Sequence, residues 1–212
     1  MSKRIILVIT LLSGAVSVGR ADVIYQFSVN TSGISGAAGS IDFQFNPGPF
    51  VSQAASLDIL NFAGNGTLAG GPLLTGDVSG GPLPSTLTFD NGTGFNDYFE
   101  GFTFGSTLLF NVRLYGPAVN APDGTSTSGS TFAFSMFSDA AGTVPTLTTD
   151  LVNGFAATVG INLDGTTTVT NLSPETSIAA VSAVPEPNSF VLIGTAFALM
   201  GTLRRCKRHG RA

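Results

Sequence analysis

Between Asp22 and Ala183 apolar and polar residues alternate with a period of two, the spacing of strands that bury one face and leave the other to solvent. Val23, Tyr25, Phe27 and Val29 fall on one face, with Ile24, Gln26, Ser28 and Asn30 on the other. Ile41, Phe43 and Phe45 alternate with Asp42, Gln44 and Asn46, and Leu108, Phe110, Val112 and Leu114 with Leu109, Asn111, Arg113 and Tyr115. The pattern returns at Phe132, Phe134 and Met136 and again at Phe155, Ala157, Val159, Ile161 and Leu163. Weaker alternation predicts further strands over 56–63, 86–89, 98–104 and 166–170.

Turn residues separate these runs. Asp164-Gly165 is a two-residue hairpin signal, because both central positions of the favoured turn need positive φ. Asn91-Gly92, Gly70-Gly71-Pro72, Gly80-Gly81-Pro82 and Pro122-Asp123-Gly124 mark other turns. The Gly/Pro/Leu stretch 64–84 predicts a long loop with one short strand near 73–78, and 123–130 a second loop. Neither an internal repeat nor a helix longer than a turn or two is expected in this stretch. Eight to eleven short strands, each with one apolar face, need a second sheet to cover them. The expectation is all-β, a β-sandwich of jelly-roll-like form.

The two ends break the pattern. In residues 1–21, Lys3 and Arg4 precede the apolar run 5–12, and small residues lead to Gly19 and Ala21. This is the layout of a secretory signal peptide cut between Ala21 and Asp22. Arg20 allows the cut to slip by a residue or two. An uncleaved anchor is the alternative, but the run is short of the roughly 20 apolar residues that span a bilayer. At the other end, residues 184–187 are Val184-Pro185-Glu186-Pro187, stiff and extended because each proline restricts itself and the residue before it. A span over 188–203 follows, uncharged and helical in lipid, and then the basic tail 204–212 with Arg204, Arg205, Lys207 and Arg208. The positive-inside rule keeps such a tail in the cytoplasm and places the 22–183 domain on the far side of the membrane.

Charge sharpens this division. Of nine basic residues, only Arg113 lies between Asp22 and Pro187, and all 13 acidic residues lie within that interval. So acidic an interior repels phosphate backbones, and nucleic-acid binding is excluded as an expectation. Cys206 and His209 are the single cysteine and histidine. If the tail is retained inside or removed, the exported domain has no disulfide, thiolate or imidazole. Only 10% of the chain is charged while 43% is hydrophobic, with 17 Phe, enough to build a core.

The ordered series of Pro185-Glu186-Pro187, short span and basic stop resembles the PEP-CTERM sorting signal over 184–212. The resemblance implies an exosortase-type membrane enzyme that recognises the motif and processes the chain nearby. It implies association with exopolysaccharide and biofilm in Gram-negative bacteria, with only transient anchoring through the C-terminal helix. The core is also similar to a group of uncharacterised PEP-CTERM proteins, through residues 22–27, 41–48 and 96–105. No activity comes with that likeness.

Candidate chemistry is sparse. Asp97 and Glu100 are the nearest approach to a glycosidase carboxylate pair, in a stretch with Phe95, Tyr98, Phe99 and Phe102. The reading preferred here is a turn and a strand, with both acids solvated and the rings in the core, so no catalytic residue and no cofactor is assigned. Asp139, Asp150, Asn153 and Asp164 lie at turns and offer oxygen to a Ca2+ bridging two loops, though without EF-hand or RTX spacing. Gly64-Asn65-Gly66-Thr67-Leu68-Ala69 fits a dinucleotide motif by letter but opens no helix, so it reads as a turn. Asn30, Asn65 and Asn91 begin glycosylation triplets that a bacterial host gives little reason to use. Tyr98 and Tyr115 could face outward and contact a glycan. The expected role is therefore an exported, non-catalytic envelope or matrix protein. A carbohydrate-binding module is the alternative, and a carboxylate-based glycoside hydrolase stands third.

Overall fold

The computed structural model of the chain describes residues 21–181. The expected signal peptide 1–21 apart from Ala21, the expected sorting motif from Val184 to Pro187, the expected span 188–203 and the expected basic stop at Arg204, Arg205, Lys207 and Arg208 lie outside them. The described residues form β1 (Val23–Asn30), β2 (Ala38–Pro47), β3 (Ser56–Gly64), β4 (Thr67–Leu68), β5 (Leu73–Thr75), β6 (Val78–Gly80), β7 (Leu87–Asp90), β8 (Asp97–Thr103) and β9 (Thr107–Tyr115). A single helical turn, α1 (Pro117–Asn120), leads to β10 (Ser130–Phe137), β11 (Phe155–Ile161), β12 (Thr167–Asn171) and β13 (Thr176–Val181). Among the described residues no helix is long and apolar enough to cross a membrane.

The strands make two antiparallel sheets packed face to face. One runs β13-β1-β9-β3-β7-β6, the other β12-β11-β10-β2-β8, with β4 and β5 sharing the outer edge of β8. The alternation predicted for 23–29, 41–45, 108–114, 132–136 and 157–161 is that of the inner faces. Phe27, Phe43, Phe45, Phe110, Phe132 and Phe134 are fully buried there. Phe155, expected on the same face as Ala157, instead pairs with Ser135 across a bulge and faces outward, and Leu163 is exposed. Phe27 meets Phe132 across the sandwich at 5.7 Å, and Phe110 meets Phe43 at 5.1 Å and Phe134 at 4.9 Å, mostly edge to face. Each such pair adds roughly 0.5–1.5 kcal/mol to the burial of its rings.

Asp164-Gly165 does turn β11 into β12, but as a three-residue loop 163–165 rather than the expected two-residue turn. Asn162 N–H donates to Thr166 O at 2.8 Å, Gly165 N–H to Asn162 O at 2.9 Å, and only Gly165 takes positive φ, at +76°. Other elements differ from the expectation. Residues 64–84 hold three short strands where a loop with one was predicted, and β13 was not predicted. The alternation of β3 also changes phase. Asn61 adopts φ +54° at an irregularity in its pairing with β9, which inserts one residue. The bulge turns Phe62 inward, where it lies 6.3 Å from both Phe43 and Phe102. The predicted loop at 123–130 is held in place: Asp123 accepts from Thr125 and Ser126, and Thr127 and Ser128 donate to Val51 O.

Candidate functional site

The acids singled out in the sequence, Asp97 and Glu100, are three residues apart on β8 and therefore point to opposite faces of the sheet. Glu100 shares parity with Tyr98 and Phe102, so all three enter the sandwich interior. The expectation that both acids are solvated is corrected: Glu100 is 2% exposed and Asp97 8%. Glu100 is held by two donors, the Tyr98 hydroxyl and the Gly70 N–H, the latter at 3.0 Å. The Leu83 N–H reaches the Tyr98 oxygen at 3.4 Å. Burial first, then the bond to Glu100, holds the Tyr98 phenol far above its ordinary range. This polar knot ties the Gly/Pro-rich stretch 69–84 to β8. It also corrects the outward placement of Tyr98, which is fully buried and presents nothing to a glycan.

Asp97 has a different partner, one the sequence reading missed. On the outer face of the same sheet, Gln44 of β2 stands opposite Asp97, and Asp42 stands opposite Phe99. Asp42 and Asp97 are thus diagonal neighbours on one face, close enough for their carboxyls to hydrogen-bond. Ser135 of β10 flanks Asp42 from the other side, and Ser40, two residues back, donates to Asp139 O at 2.8 Å beneath the 138–154 loop. This cover leaves Asp42 only 6% exposed. One oxygen of Asp42 accepts from the Gln44 amide at 2.8 Å. Its other oxygen, and Oδ1 of Asp97, are buried without a donor. Burial first, and then the bond and negative charge of Asp97, push the Asp42 carboxyl up to about 9, with Gln44 pulling weakly the other way. With no cation between them, two carboxyls so placed share a proton at neutral pH.

The turn residues expected to bind calcium act on their own loops. Asp139 accepts from the Thr143 hydroxyl at 2.7 Å and from the Val144 N–H at 2.9 Å, and these donors hold its carboxyl below the ordinary range. Asp150 is lowered in the same way by Asn153, whose N–H it accepts at 3.0 Å. Asp164 accepts from the Thr166 N–H and hydroxyl. Among the described residues no group of three or more Asp, Glu, His or Cys gathers into a metal-ligand cluster.

Tyr115 is half-buried on the outer face of the other sheet. Its hydroxyl donates to Asp58 at 3.2 Å, and the Arg113 guanidinium lies 4.6 Å from its ring centre. Arg113, the only cation among the described residues, grips Asp22 through Nε at 2.8 Å and Nη2 at 2.7 Å and reaches Asp58 at 3.4 Å. Asp22, expected to begin the processed chain, is thereby tied to the sheet one residue before β1.

A cleft of about 250 Å³ is lined by Phe62, Ala63, Gly64, Gly66, Leu68, Pro84 and Phe102, with no titratable group. The dinucleotide-like letters fall on this rim. A Cβ on Gly66 would lie 2.3 Å from the Phe102 ring and one on Gly64 2.6 Å from Thr107 O, so packing accounts for both glycines. The glycosylation asparagines are likewise engaged: Asn91 bonds Ala55 N–H, Gln53 O and Ser130, and Asn65 accepts from Ser106 N–H and Thr107 N–H. No protein-family model, curated protein or solved structure matches the chain.

Proposed function

We propose that this is an exported, C-terminally sorted envelope or extracellular-matrix protein with a jelly-roll-like core. In this reading it is non-catalytic, is processed by an exosortase-type enzyme at Val184-Pro185-Glu186-Pro187 and associates with exopolysaccharide. The observation that carries the reading is where the first strand begins. β1 starts at Val23, one residue after the expected cut at Ala21–Asp22, and Asp22 itself is held to the sheet by Arg113. The order of Val184-Pro185-Glu186-Pro187, uncharged stretch and basic residues in the sequence supports processing at the membrane surface. The non-catalytic part is supported by Asp97 and Glu100 facing opposite ways and by the apolar lining of the cleft.

Intact-mass measurement of the protein from its native host tests the proposal. The expected product begins at or near Asp22 and ends at or near Pro187, lacking Arg204 onward. A full-length tail retained in the inner membrane overturns it.

Carbohydrate binding stands second, on the partly exposed Tyr115 beside Arg113 and Asp58. That reading requires retention on an immobilised polysaccharide and its loss in Tyr115→Ala.

A further inference from the structure

We propose that the outer face of the seven-stranded sheet holds one hard divalent cation of the calcium class between the carboxylates of Asp42 and Asp97. The two side chains are diagonal neighbours on one face of adjacent strands, and each carries a buried oxygen with no donor. Both residues are more than nine-tenths buried, at 6% and 8% exposure. A buried acceptor left unpaired is costly, and two anionic ones facing each other more so, unless a cation or proton lies between them. Among the described residues no protein cation is at hand: Arg113 is engaged on the opposite sheet by Asp22 and Asp58.

Oxygen donors of this kind select calcium-class ions over softer metals. Neutral oxygen is also near, in the Gln44 amide, whose Oε1 accepts only a long 3.3 Å bond from Asn46, and in Ser135 across on β10. With two carboxylates and waters completing the shell, affinity falls in the weak range of extracellular calcium modules. The site differs from the loop acids Asp139 and Asp150, whose oxygens are taken by their own turns. The competing occupant is a shared proton.

Calorimetric titration of the EDTA-stripped, full-length chain in detergent with CaCl2 at pH 7.5 separates the two. The expected result is one Ca2+ per chain, with a dissociation constant on the order of 0.1–1 mM. Asp42→Asn and Asp97→Asn should each weaken binding at least about tenfold, a loss of roughly 1.4 kcal/mol. Asp139→Asn should leave it unchanged. Both pair variants should melt in EDTA at or above the wild-type temperature, since the amide replaces a buried charge at equal size.

A wild-type measurement covers the case of a variant that does not fold. Ca2+ should shift the amide resonances of residues 42–44 and 97–99 and leave 139–144 and 150–153 in place. Absence of binding at 10-fold the expected constant, retention of binding by both asparagine variants, or shifts confined to the loops overturns the proposal and leaves the proton as the occupant.

Discussion

The Tyr98 hydroxyl donates to the carboxylate of Glu100, two residues further along β8, and both groups lie inside the sandwich rather than on its surface. The bond closes a chain from Leu83 N–H through Tyr98 and Glu100 to Gly70 N–H. It adds to the hold that the pairing of β5 with β8 and of β6 with β7, and the buried Leu83, give the same segment.

Removing the hydroxyl should therefore do more than delete one contact. Tyr98→Phe leaves the buried Glu100 with Gly70 as its one remaining donor, at a cost of about 1–3 kcal/mol. Urea unfolding should show a lower midpoint at unchanged slope, and amide exchange at Gly70 and Leu83 should quicken. An unchanged midpoint would mean that the knot does not hold the segment.

The Asp42 carboxyl makes stability depend on pH in a defined direction. Its folded value of about 9 lies above the roughly 3.9 of an unfolded Asp. The native state then binds more protons than the unfolded one between those limits. Stability is fully present below about pH 4 and falls as pH rises through 9. The lowered carboxyls Asp123, Asp139 and Asp150 titrate below this window, and the residues from Asp22 to Val181 contain no His or Cys. In EDTA the melting temperature of the chain should decline from pH 5 to 9, and in Asp42→Asn that slope should flatten. A slope equal in the two proteins would refute the assignment.

Close backbone approach sets a different requirement at Gly39. A Cβ there would lie 2.1 Å from Phe137 O and 2.7 Å from the Phe104 ring. Gly39→Ala must push β2 from β10 or displace a core ring, and should cost about 2–3 kcal/mol or more. Gly94→Ala, where nothing lies within 4 Å, should fall within about 0.5 kcal/mol of wild type. Thermal unfolding of the pair measures the contrast.

Arg113 joins the first residue of the expected mature chain to β3. Its pair with Asp22 is partly solvated, with side-chain exposures of 39% and 26%, and is worth about 1 kcal/mol at most. Asp58 is more enclosed, at 9%, but keeps donors in Thr88 and Tyr115. Arg113→Met should accordingly destabilise by about 1–2 kcal/mol, and Arg113→Lys by less, with both losses shrinking as salt is raised. A salt-independent loss would point to lost packing over the Tyr115 ring instead.

The residues by themselves determined the all-β class, most of the inner faces of the long strands and the place of the Asp164-Gly165 hairpin. Period-two alternation and turn chemistry are local, so they can be read along the chain. They also determined the chemistry denied to the 22–181 body, since its cysteine and histidine counts are properties of composition. Even Glu100 was partly legible: it shares parity with Tyr98 and Phe102, and that parity outweighed its charge.

Tertiary structure alone decided the rest. Alternation says which residues share a face but not what lies across from it. Asp42 read as a solvated polar residue until β8 set Asp97 diagonally beside it and the 138–154 loop covered the Ser40 end. The bulge at Asn61, which sends Phe62 inward, depends on the pairing of β3 with β9. Strands β4 to β6 form because β8 and β7 offer them edges. β13 likewise forms on the edge of β1, a partner nearly the whole domain away in sequence. Such pairings are stabilised by contacts between distant residues, and no window of local sequence carries that energy.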